Sequence, residues 1–199
     1  MSWIQQIDFM ILEWIQSHLQ GAALDLLMPM ITALGNGGWL FILLALVLLL
    51  SKRYRRQGCA LAVSLLLCLL VGNLFLKPLF ARLRPFEVAG LSELLISSPT
   101  DYSFPSGHTM ASFACAGVFW HYRRDFGRWS VVLLLLAALI GFSRLYLYVH
   151  FPTDVLCGAL LGLVLPPWPR TCVTAPEPTG CKRAAKQNNT PAGWPGCCP

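Results

Sequence analysis

Lys77, Arg84, Ser106, Gly107, His108, Arg144, His150 and Asp154 fall into three short clusters along an otherwise apolar chain. Written out, the clusters are Lys77-Pro78-Leu79-Phe80-Ala81-Arg82-Leu83-Arg84-Pro85, then Pro105-Ser106-Gly107-His108, then Ser143-Arg144 followed by His150 and Asp154. Polar groups are expensive beside hydrocarbon, so their concentration here asks for a functional reason. His150-Phe151-Pro152-Thr153-Asp154 places an imidazole just ahead of a helix, with Pro152 suited to its first turn. Asp154, four residues on, can return its carboxylate to one ring nitrogen. That contact would fix the tautomer and leave the other nitrogen free to attack an electrophile. The same carboxylate could instead cap the free N–H groups of the helix, leaving His150 as an interfacial residue.

Pro105-Ser106-Gly107-His108 precedes an apolar run and reads as a helix N-terminus. Free N–H groups and the positive end of the dipole make such a place an anion site. Gly107 lets the backbone approach a phosphate, Ser106 offers a hydroxyl, and His108 is placed to protonate a departing oxygen. A serine-capped helix with an incidental histidine would carry the same four letters. Lys77, Arg84 and Arg144 complete a phosphate clamp, arginine as a two-pronged fork and lysine as a point charge. Three cations beside hydrocarbon with few nearby acids would be costly unless an anion joined them. Arg82 lies in the same loop but off the pattern, and is left out of the clamp. His18 and His121 read as interfacial. A neutral His150 and a charged His108 predict a bell-shaped pH profile. No carboxylate cluster suited to Mg²⁺ occurs in the sequence, so neither a metal nor another cofactor is expected.

As patterns, the clusters read K-x6-R-P, P-S-G-H and S-R-x5-H-x3-D. In this order and spacing they resemble the signature of the type 2 phosphatidic acid phosphatase (PAP2) superfamily, and the chain is similar to its small bacterial membrane members. The likeness runs over roughly residues 25–165, is motif-specific over 77–154, and has no motif residue substituted. It implies that His150 is a nucleophile forming a phosphohistidine, that Asp154 orients it, and that His108 is the general acid. It further implies that Lys77, Arg84, Ser106, Gly107 and Arg144 bind substrate phosphate. The implied substrates are undecaprenyl diphosphate, phosphatidylglycerol phosphate or phosphatidate, the first being favoured by the short chain and outward site. Two alternatives stay open. One is a phosphotransferase passing the group to another lipid such as lipid A. The other is a non-enzymatic lipid-phosphate binding or transport protein, which would have little use for the His150–Asp154 pair.

The elements that must carry these residues are apolar helices. Hydrophobic residues make up 56% and charged residues 12% of the 199, which excludes an ordinary soluble domain and implies an all-α integral membrane protein. The net charge of +6 sits in short loops between apolar runs, as in cytoplasmic membrane loops, so nucleic acid is not an expected partner; the bilayer and a lipid phosphate are. Residues 4–19 set Ile4, Ile7, Ile11, Ile15 and Leu19 on one stripe, predicting an amphipathic helix lying in the interface. With Asp8 and Glu13 and no basic stretch, this segment does not read as a cleavable signal peptide. Residues 24–34 form a second apolar stretch, about half the ~20 residues needed to span. Gly35-Asn36-Gly37-Gly38 then breaks the chain.

Five spanning helices are predicted near 37–52, 57–75, 106–122, 129–147 and 151–165, or six if the N-terminal segment also crosses. The basic loops 52–56 and 123–128 belong on the cytoplasmic side. Alternation then puts all three clusters on the outer, periplasmic face of an inner membrane. The organisation is thus 1–36 interfacial helices, 37–165 phosphatase core, and 166–199 tail. Eight of the fourteen prolines fall from Pro166 onward, and a disordered tail is expected there. Cys59, Cys68, Cys115 and Cys157 lie in apolar runs, where thiols behave as small hydrophobes. Cys172, Cys181, Cys197 and Cys198 in the tail match no zinc-ligand spacing. Oligomeric state is not set by the sequence.

Overall fold

The computed structural model describes residues 3–166. The expected tail, with its four cysteines, lies outside the described residues but for Pro166. Every regular element among the described residues is helical: α1 Trp3–Leu19, α2 Ala22–Ala33, α3 Trp39–Leu50, α4 Arg55–Leu67, α5 Lys77–Phe80, α6 Pro85–Ala89, α7 Gly107–His121, α8 Arg123–Phe126, α9 Trp129–Tyr146 and α10 Pro152–Val164. A nine-residue π-helical segment, Cys68–Leu76, joins α4 to α5. Three stretches are long and apolar enough to cross a membrane: Ala22–Leu50, Arg55–Ala89 and Trp129–Tyr146; Pro152–Val164 is apolar but shorter. The break expected between α2 and α3 is a tight turn with Gly37 and Gly38 at φ 57° and 69°, a region where a side chain is strained.

α7 is the centre of the bundle. Ala114, Cys115 and Ala116 on it are fully buried, and α4, α9, α10 and the π segment pack around it. Its small residues allow close approach, and α10 answers with Gly158 and Gly162. A Cβ at Gly162 would lie 2.4 Å from the Met110 carbonyl oxygen, and one at Gly158 2.8 Å from that of Ser106. Small residues four apart are how apolar helices touch backbone to backbone. Here the contact brings the N-terminus of α10 beside that of α7.

Leu46, Leu66, Leu74, Leu135 and Leu160, among others, point outward and are more than half exposed. So broad an apolar exterior is unfavourable in water and suits lipid. The described residues form an all-helical bundle, and the protein is a multi-pass membrane protein.

α1 is helical over the expected range, and the expected stripe is divided between the outside and the inside of the bundle. Trp3, Ile4, Ile7, Met10 and Ile11 are exposed, while Asp8, Leu12 and Ile15 face inward. A carboxylate inside asks for partners, and Asp8 has them in Arg82 and Thr153.

Candidate active site

The three clusters converge on one cavity of about 600 Å³, whose polar end is lined by Lys77, Arg84, Gly107, His108, Arg144 and His150. The elements explain the convergence. The π segment carries the chain from α4 to Lys77, and such segments are frequent at functional sites. Ala81, at φ 43°, then reverses the chain so that Arg82 and Arg84 return toward the bundle. Gly107 opens α7, Arg144 closes α9, and His150 stands just before α10.

Arg84 is buried, and each of its three nitrogens is engaged. Its Nη1 donates to the Val149 carbonyl (2.7 Å) and meets His150 Nε2 at 3.2 Å, and its Nε donates to the Asp101 carbonyl (2.8 Å). A guanidinium can only donate, so this contact needs a lone pair on Nε2. The neutral His150 tautomer is then Nδ1–H, with its lone pair facing the cavity cations. Burial, followed by Arg84, Arg144 and Lys77, pushes the His150 pKa well below the usual imidazole range, which keeps the ring neutral.

Asp154 lies behind the ring. Its Oδ2 is 3.7 Å from His150 Nδ1, longer than a hydrogen bond, and the Ser103 hydroxyl lies beside the pair. Ser103 Oγ donates to Asp154 Oδ2 and is 3.5 Å from Nδ1. The carboxylate also accepts the Phe151 N–H at 2.9 Å. The carboxylate therefore holds the start of α10, and it lies near the imidazole without the direct hydrogen bond expected from the sequence.

The three cations expected as a clamp all line the cavity, and an acid that sequence reasoning missed pairs with two of them. Asp101 pairs with Lys77 and with Arg84. Partial burial alone would raise its pKa, but hydrogen bonding and charge from Lys77 and Arg84 overcome this and hold it at about 2. Arg144 is 2% exposed, donates to Thr32 Oγ1 (2.6 Å), and leaves its Nε buried without a partner. An unpaired buried donor is costly, and an anion in the cavity would relieve it. His108 Nε2 donates to Asn36 Oδ1 at 2.9 Å.

Not every candidate touches the cavity. Ser106 is buried behind the wall, where its hydroxyl accepts from Thr109 Oγ1 (2.9 Å) and its N–H donates to the Asp154 carbonyl (3.1 Å). Ser106 thus joins α7 to α10 and does not line the cavity. Arg82, set aside from the clamp, is indeed away from the cavity, yet its Nη1 donates to Asp154 Oδ1 at 2.6 Å. Asp8, Thr32, Asn36, Asp101 and Ser103 carried no motif. A lone acid in an apolar run, which must find a cation, was the available signal for Asp8.

Beyond the polar end, the same cavity continues along Ile42, Leu46 and Leu49 of α3 and Ala62, Leu65 and Leu69 opposite. An anion with a long apolar tail fits both halves.

A family model described as the PAP2 superfamily matches residues 57–174. An undecaprenyl-diphosphatase of Sulfolobus acidocaldarius is 35% identical over 73% of this chain and 69% of its own length. Among solved structures, a transmembrane PAP2-type phosphatidylglycerolphosphate phosphatase from Bacillus subtilis superposes with a TM-score of 0.68. It is 25% identical and covers 83% of each chain. Aquifex aeolicus LpxE superposes with a TM-score of 0.66 at 27% identity, over 80% of this chain and 92% of its own.

Proposed function

Since the chain belongs to the PAP2 superfamily, we propose that it is a membrane lipid phosphatase working through a phosphohistidine on His150. In the first step the Nε2 lone pair attacks the terminal phosphorus, the bond from it to the leaving oxygen breaks (the lipid oxygen of a monophosphate, the bridging oxygen of a diphosphate), and His108 supplies the proton where that oxygen needs one. Water then attacks phosphorus, the P–N bond breaks, and phosphate leaves. Lys77, Arg84, Arg144 and the first-turn N–H groups of α7 stabilise the added charge of the five-coordinate phosphorus. Such preset donors supply much of the acceleration in a reaction among the slowest uncatalysed ones.

The observation that carries this reading is the two-part cavity, with a cationic end holding two histidines and an apolar wall between α3 and α4. The substrate is a phosphate or diphosphate on a long apolar chain, of the undecaprenyl diphosphate or phosphatidylglycerol phosphate type. Five helices span: α3, α4 with the π segment, α7, α9 and α10. The two basic loops meet away from the polar end of the cavity, where Gln57 Nε2 donates to Asp125 (2.8 Å) and Tyr54 stacks on Phe126. With those loops inside, the site opens on the extracytoplasmic face of the inner membrane.

Phosphate release in detergent from a panel of polyprenyl diphosphates, glycerolipid phosphates and short soluble phosphates tests the reading. Turnover should rise with chain length. Equal turnover of short soluble phosphates, or none on any lipid, would overturn it.

A further inference from the structure

We propose that Asp8 of α1 and Arg82 of the loop after α5 are positioning residues for the His150–Asp154 pair, Asp8 fixing the guanidinium that in turn fixes the carboxylate behind the imidazole. This rests on the reading of His150 as the nucleophile. Asp8 is 1% exposed on a helix whose other side faces outward. Both its oxygens are used. Oδ1 accepts the Thr153 N–H at 3.1 Å, and Oδ2 accepts from Thr153 Oγ1 and from Arg82 Nη2, each at 2.7 Å. Arg82 Nη1 donates on to Thr153 Oγ1 (2.7 Å) and to Asp154 Oδ1 (2.6 Å).

Phe151 completes the grip on the start of α10. The Arg82 guanidinium lies 4.0 Å from its ring centroid, and Phe9, the neighbour of Asp8, meets the same ring edge-on at 5.2 Å.

The order of charges gives the arrangement its chemistry. Attack by Nε2 makes the His150 ring cationic, and a carboxylate behind it stabilises that charge. Arg82 alone would draw Asp154 away and cancel it. Asp8 on the far side of Arg82 restores a net negative charge to the group of three. A fork that must meet Asp8, Thr153 and Asp154 together is also a geometric constraint, which a lysine could not reproduce. A buried ion pair that served anchoring alone would be replaceable by apolar packing; this one ends on the carboxylate behind the nucleophile.

The test compares Asp8→Asn, which keeps the shape, with Leu12→Ala, which removes a fully buried side chain from the same helix without touching the network. Both are made in the full chain, in detergent. Single-turnover phosphoenzyme formation from radiolabelled polyprenyl diphosphate, inhibition by vanadate and thermal unfolding are measured. Asp8→Asn should slow phosphorylation by about 10–100-fold, on the scale of a small misplacement of a reacting group, and weaken inhibition by vanadate, a mimic of the five-coordinate phosphorus, in step with it. Leu12→Ala should lower the Tm at least as far and leave the phosphorylation rate within about threefold, since its loss is one of packing. Arg82→Lys should behave like Asp8→Asn. Rates that fall in step with Tm in both helix variants, or a wild-type rate in Asp8→Asn beside an inactive His150→Ala, would remove this inference alone. Turnover surviving in His150→Ala would remove the nucleophile reading, and this inference with it.

Discussion

His150 and His108 line the same cavity, and the duties proposed for them are separable by the residues around each. His150 is surrounded by Arg84, Arg144, Lys77 and His108 on the cavity side, with Asp101 and Asp154 as the nearby acids. Its pKa is lowered by burial first and by those cations second. The neutral, attacking ring therefore persists as pH falls through the ordinary imidazole value of about 6.5. The acid limb of kcat/KM assigned to His150 should lie below that value, and a limb at or above it would contradict the assignment. His150→Ala should lose at least about 10⁴-fold in kcat on every substrate, as nucleophile removal does elsewhere. His108→Ala should lose about 10²–10⁴-fold with an alkoxide leaving group. With p-nitrophenolate, which leaves without a proton, the loss should be much smaller. Equal losses on both substrates would deny His108 the role of acid.

At the scale of elements, the site depends on how closely α10 lies against α7. Gly162→Ala would set a methyl 2.4 Å from a backbone oxygen, which no side-chain rotation relieves. It should destabilise by about 1–3 kcal/mol and reduce activity, because the start of α10 carries Asp154. Thermal unfolding and turnover of the purified variant check both effects, and an unchanged Tm would mean the two helices can slide apart freely. The limits of α7, α9 and α10 were legible as apolar runs bounded by polar or proline-containing turns, within a residue or two. The clusters were legible because each is local in sequence. What could not be read was which distant residue meets which. Asp8 to Arg82, Asp101 to Lys77 and Arg84, and Ser103 to Asp154 are pairings across the fold with no period or spacing to announce them. The inward turn of Asp8 on α1 was not legible for a related reason: an apolar stripe suited to an interface does not say which polar residue of the other side meets a partner across the fold.

For the molecule as a whole, the proposed anion clamp and the basic loops 52–56 and 123–128 give a polarity to the bundle. Leu91→Cys and Arg124→Cys, both at exposed positions, should differ in intact cells, with an impermeant thiol reagent labelling the first above the unmodified chain and not the second. The reverse pattern would turn the site to the cytoplasm. A clamp of Lys77, Arg84 and Arg144 also predicts that activity survives EDTA and that vanadate, a mimic of five-coordinate phosphorus, inhibits. Loss with EDTA restored by Mg²⁺ would point to another mechanism. The most direct measurement is rapid quench of the detergent-solubilised full chain with radiolabelled lipid diphosphate, followed by mapping of the labelled residue. An acid-labile, alkali-stable phosphoryl adduct on His150, formed before phosphate release and absent from His150→Ala, is the expected result. An adduct on His108, or on no residue while phosphate is released at the normal rate, would contradict it.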